Sequence, residues 1–261
     1  MKKIIIFAAL AFAGCSEVQV TVPNPRVEPP ELRGDRGLAF TAGVEGAHVY
    51  QATSDGGRRP PTMDEPSATG AFALNGGVHF SPVAPVQIGL ELNGPDGYGA
   101  STIVKFQIAG EGTHSSKPGD FSALIYLRGG GVYGQKSGDQ SQTFGAGGYN
   151  WKGHVSGAYA HAGASMGFRV AEHALIYWGG AFGQYWMSSE VDQDAHTSTG
   201  DKGGSYKSGD NGKAYTGGFG AEFNWSRVQF FVSGEGTSYG YEHTHSHFDP
   251  FVHAGVIITP P

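Results

Sequence analysis

VQIGLELN, residues 86–93, decides the fold. Val86, Ile88, Leu90 and Leu92 alternate strictly with Gln87, Gly89, Glu91 and Asn93. A period of two puts the apolar set on one face of an extended chain and the polar set on the other. The pattern recurs along the chain. Val104, Phe106 and Ile108 enclose Lys105 and Gln107. Phe121, Ala123, Ile125 and Leu127 interleave with Ser122, Leu124, Tyr126 and Arg128. Tyr215, Phe219 and Phe223 stand against Thr216, Gly218, Gly220, Glu222 and Asn224. Val228, Phe230 and Val232 stand against Gln229, Ser233 and Glu235. No stretch of comparable length has helical periodicity.

Extending this reading gives ten strands, at about 37–51, 68–81, 85–95, 100–110, 119–134, 150–168, 174–190, 213–225, 227–241 and 250–259. Their connections alternate in length. Residues 52–67, 135–149 and 191–212 are long and polar, whereas SPVAP at 81–85, VAEH at 170–173 and NWSR at 224–227 are short. Ten antiparallel strands then carry long loops at one end and tight turns at the other. The join at 111–118 is longer than this rule asks, and that at 96–99 is shorter.

This arrangement resembles the small outer-membrane barrels of the opacity-protein and OmpA-like kind, which have an even strand number, short periplasmic turns and longer external loops. The resemblance covers residues 37–259 by pattern alone. It implies an all-β, antiparallel up-and-down transmembrane β-barrel of about ten strands, with eight as the alternative. It also implies a girdle of interfacial aromatics, expected from Tyr149, Trp151, Trp178, Trp186, Tyr215 and Trp225. The last strand, FVHAGVIITPP, ends in two prolines where such barrels end in an aromatic residue.

The front of the chain has its own organisation. Met1–Lys3 is a positive n-region, and Ile4–Gly14 is an apolar run too short to span a bilayer as a helix. Ala13 and Gly14 lead into Cys15, the chain's one cysteine. This resembles a bacterial lipobox, with Phe12 where Leu is more usual, and implies a signal peptide over 1–14 and acylation of Cys15. A lone thiol in an exported chain asks for such an explanation. The covalent lipid is the one cofactor expected. Residues 15–36 hold Pro23, Pro25, Pro29 and Pro30 among mixed charges. Proline favours extended chain without backbone donors, so this segment reads as a tether to a barrel domain over 37–261.

Glycine is abundant, 44 of 261 residues, against about 7% in ordinary proteins. The formal net charge is −6, and no basic stripe is present to neutralise phosphates, which argues against nucleic acid as a partner. If the apolar faces meet lipid, Glu45, Glu91, Lys105, Arg128, Lys152, Glu222 and Glu235 point inward, where they must pair because an isolated buried charge is costly. An eight-stranded interior is just filled by side chains, and open aqueous channels need about 16 strands, so ten exclude a general porin.

EHTHSHFD at 242–249 holds His243, His245 and His247 at spacing two, on one face if extended. With Asp249, or with Asp192, Asp194 or His196, they would form a weak metal site. His114 and Ser116 resemble the His-x-Ser pattern of lipid A deacylases but lack that family's strand context. The chain contains no nucleophile elbow, phosphate loop or zincin motif, and the expectation is that it is not an enzyme. The sequence thus points to an outer-membrane barrel lipoprotein anchored through Cys15. Its partners would be outer-membrane lipid and an envelope or cell-surface protein. The alternatives are a tethered soluble barrel with an apolar ligand inside, or a narrow channel.

Overall fold

The computed structural model describes residues 15–32, 37–55, 67–94, 97–113, 115–140, 148–196, 204–242 and 246–260. The expected signal peptide over 1–14 lies outside them. Among the described residues the chain forms eleven strands: β1 (Cys15–Pro23), β2 (Gly37–Asp55), β3 (Ser67–Val83), β4 (Val86–Gly94), β5 (Tyr98–Ala109), β6 (Phe121–Gln140), β7 (Gly148–Ala171), β8 (Ala174–His196), β9 (Gly204–Trp225), β10 (Val228–Tyr241) and β11 (His247–Ile258). Strands β2 to β11 pair in chain order, each antiparallel to the next, and β11 returns to β2. This closes a ten-stranded up-and-down barrel, as the alternation and the loop lengths predict. Over the Ala254–Ile258 pairing with β2, closure removes the free edges that an open sheet would leave unpaired.

The side-chain alternation fixes which face is which. Leu90 and Leu92 are 65% and 69% exposed, whereas Glu91 between them is 4% exposed. Phe40, Phe72, Ile108, Leu127, Phe168, Ile176, Phe219 and Val252 share the outer face. Bulky apolar groups outside and charges inside are the arrangement of a membrane-spanning barrel. It overturns the soluble alternative, which needs the apolar faces turned inward. On β8, Ile176 to Trp186 spans the outer belt in ten steps, about the length a tilted strand needs to cross a bilayer.

Strand lengths differ around the ring. β4 and β5 have 9 and 12 residues, but β6 to β9 have 20, 24, 23 and 22. The extra residues lie at the long-loop end, above Tyr133 and Trp186, where the outward positions turn polar: Lys136, Lys152, Asp192 and Lys207. One side of the barrel therefore carries a tall polar rim. There Lys207 Nζ lies 2.8 Å from Glu190, and its hydrogen bond holds the Glu190 carboxyl below the usual carboxylate range.

The eleventh strand departs from the expected plan. β1 pairs β2 antiparallel from Cys15 opposite Asp55 to Pro23 opposite Ala47. β11 pairs β2 only lower down, through Ala254–Ile258 against Val44–Phe40. Above residue 44 the upper half of β2 exchanges its β11 partner for β1. Gly46 lies against the Phe251 ring, and Phe251 meets Phe72 of β3 edge-on at 5.9 Å. The upper β2 and its β1 partner are tucked into the lumen.

Candidate functional site: a lumen filled by the amino-terminal segment

Residues 18–32 were expected in a tether outside the domain. Instead they run down the barrel axis, all buried except the half-buried Gln19. The correction has a physical reason. Proline makes a segment extended and removes backbone donors, and this suits a solvated tether and a buried thread equally. Within the barrel, Pro23, Pro25, Pro29 and Pro30 leave no N–H groups to satisfy, Asn24 N–H donates to the Gly46 carbonyl, and wall side chains meet several of the other backbone groups. Tyr185 donates to the Pro23 carbonyl at 3.1 Å, Thr216 to that of Pro25 at 2.7 Å and Tyr126 to that of Arg26 at 2.5 Å. Val27 N–H donates to Glu235 at 3.1 Å and Leu32 N–H to Gln107 at 2.9 Å.

Three layers hold the thread. At the long-loop end Val18, Val20 and Val22 pack among Tyr50, Val132, Val155, Tyr159, Tyr185, Met187, Tyr239 and Tyr241. His48 stacks on Tyr239 with centroids 4.8 Å apart, and its Nδ1 lies 2.7 Å from Asn24 Oδ1.

The middle layer is ionic. Arg26 of the thread meets Glu28 at 2.5 Å, Glu91 at 2.7 Å and also Glu45. Arg128 binds both oxygens of Glu45, at 2.9 and 3.0 Å, and lies 3.0 Å from Glu91. Lys105 holds Glu28 at 2.6 Å, and His79 Nε2 lies 3.3 Å from Glu91. Near the short-turn end Arg169 pairs with Glu31, which also accepts from Ser122 at 3.1 Å. Below this, Leu32 packs with Ile103, Leu124 and Tyr126.

The wall is cut to fit the thread. A Cβ on Gly134 would stand 2.5 Å from the Gln19 carbonyl oxygen, and one on Gly183 would stand 2.8 Å from the Pro25 ring. A Cβ on Gly179 would lie 2.9 Å from Val27 and one on Gly153 3.3 Å from Val18. Part of the high glycine content therefore makes room for a chain inside a barrel.

Of the charges expected inside, Glu45, Glu91, Lys105, Arg128, Glu222 and Glu235 are buried in the lumen. Lys152 is not. It is exposed, and its neighbour Trp151 is buried at 7% exposure. The reason is register: Arg128 pairs with His161, so odd positions of β7 face inward up to residue 151. This also removes Trp151 from the aromatic girdle, while Trp178, Trp186, Tyr215 and Trp225 are exposed as expected. The side chain of Tyr149 lies outside the described residues. Sequence reading missed Arg26, Glu28, Glu31 and Arg169.

His243 and His245 lie outside the described residues. His247 opens β11, exposed, with its ring stacked on Tyr239 at 5.7 Å, and Asp249 accepts a hydrogen bond from Tyr239 at 2.7 Å. No cluster of three metal-ligating side chains is found among the described residues. His114 is also outside them. Ser116 donates to the Glu111 and Gly112 carbonyls at the short-turn end and, with Glu172 and His173, lines a polar cavity of about 180 Å³.

No family model matches the chain, and no curated protein does. Among solved structures it is similar to the outer-membrane protease OmpT from Escherichia coli, at 10% identity and a TM-score of 0.25, over 94% of each chain. It is also similar to LpxR from Salmonella typhimurium, at 9% identity and a TM-score of 0.25, over 94% of this chain and all of that one. The first of these is an enzyme. The expectation that this chain is not one is therefore withdrawn, although likenesses this distant carry no activity across.

Proposed function

We propose that the protein is an outer-membrane barrel sealed by its own amino-terminal segment, with a tall polar rim at the cell surface for contact with an envelope or cell-surface partner. The observation that carries this is the filled lumen: from Val18 to Leu32 the thread is held to the wall by apolar clusters at both ends, an ionic layer between them and hydrogen bonds from wall side chains to its backbone. A barrel so filled is a poor conduit, which argues against the narrow-channel alternative. The rim supports the surface role, because β6 to β9 rise about seven to ten residues beyond the belt that a bilayer covers. Acylation of Cys15 belongs to the same proposal as a second anchor, and intact mass of the mature protein tests it.

Current through planar bilayers holding the purified, folded protein tests the seal. We expect a baseline without discrete steps. Stable steps of porin size would refute a sealed barrel.

A further inference from the structure

The thread has a direction. Leu32 sits at the short-turn end, where its carbonyl accepts from Thr113 N–H at 2.8 Å. Gly37, which starts the wall, pairs with Ser81 at the same end. Cys15 is at the other end, opposite Asp55 and past Gln19, which touches Gly134 just above the exposed Tyr133. The chain therefore crosses the full height of the barrel through the lumen before its first wall strand begins. We propose that this barrel exports its own amino terminus: residue 15, and any group attached to it, is delivered through the lumen to the long-loop face.

The polarity is locked at several independent points. Nine residue pairs join β1 to β2. Slipping their register by one residue would turn Val18, Val20 and Val22 away from their aromatic partners. Arg26 meets carboxylates from β2 and β4 as well as Glu28 of the thread itself. Glu31 reaches Arg169 only near the short-turn end. A reversed thread would lose all of these together. The consequence for an acylated Cys15 is specific. Its chains would face the leaflet on the long-loop side, opposite the one reached by a lipid on a flexible periplasmic tether.

The inference rests on the proposed orientation, with the long loops outside, and the test separates the two. The chain carries Cys15→Ala, an ordinary cleavable signal and a short epitope tag ahead of residue 15. In this cysteine-free background Lys207→Cys reports the rim and Lys117→Cys the short-turn end, both being exposed. Each variant is scored in its folded, heat-modifiable form with a membrane-impermeant maleimide and an antibody to the tag. We expect full tag signal and full Lys207→Cys labelling on intact cells, with no gain on permeabilisation, and Lys117→Cys labelled only after it. Lys207→Cys labelled on intact cells with the tag hidden would overturn the thread. Lys117→Cys labelled on intact cells, with both the tag and Lys207→Cys hidden, would keep the thread but overturn the orientation and with it the outward display.

Discussion

Arg26 holds a guanidinium among Glu28, Glu45 and Glu91, all of them buried. Removing one partner of a buried charge cluster leaves the others uncompensated, at a cost of about 3–5 kcal/mol. Arg26→Met should therefore lower the unfolding free energy in urea by an amount of that order, seen as a lower midpoint in the mobility difference between folded and heated protein. Adding Glu91→Gln should recover part of the loss, because one of the stranded carboxylates is then neutral. If Arg26→Met unfolds like the parent, the guanidinium is not the keystone of the layer. Arg128 would not replace it. It is already committed to both Glu45 and Glu91, with Ser101 at 3.1 Å and the Tyr159 ring beneath it.

At the scale of elements, β1 is held by close backbone approach. Gly134→Val would drive a side chain into the Gln19 carbonyl, which is backbone and cannot swing aside. The variant should release the upper thread, so that limited proteolysis cuts between residues 15 and 32. Gly129→Ala is the control: the nearest atom to its new Cβ is 3.9 Å away, and its effect should stay within about 0.5 kcal/mol. Equal resistance of both variants would show that β1 does not need that contact.

The same contrast shows what the sequence could reveal. Each wall strand has two unlike faces, so alternation found all ten, but at the tall rim it stopped six residues short on β6 and β8 and nine short on β9, where the strands continue in polar residues. β1 carries the same signal in Val18, Val20 and Val22. Pro23 at its end, three more prolines just after it and mixed charge favoured a solvated reading. Composition alone cannot separate a proline segment bathed in water from one whose carbonyls are met by Tyr185, Thr216 and Tyr126. The ionic layer was half legible for the same reason. Its wall members fall on the polar alternates, but Arg26, Glu28 and Glu31 lie outside any strand period. Lys152 was placed on the wrong face because Gly, Ala and Ser fill both faces of β7, so only its pairing with β6, Arg128 opposite His161, shows that odd positions point inward.

For the whole molecule, the question is what holds it in the bilayer. The outer face of β4 shows Ile88, Leu90 and Leu92 to the surroundings. A belt of this kind anchors a barrel whether or not residue 15 is acylated, because the apolar area it keeps from water contributes about 25 cal/mol per Å². The Cys15→Ala protein, exported with an ordinary signal, should therefore stay with the membrane through an alkaline carbonate wash. Leu90→Arg in that background places a cation on the lipid face near mid-belt, at a cost of about 2–4 kcal/mol. It should lower the yield of folded, heat-modifiable barrel, while Asp192→Arg on the polar rim should leave that yield unchanged. Release of Cys15→Ala as a folded soluble protein would mean that lipid on residue 15 was the only anchor. The exposed apolar belt would then have to be covered by another protein.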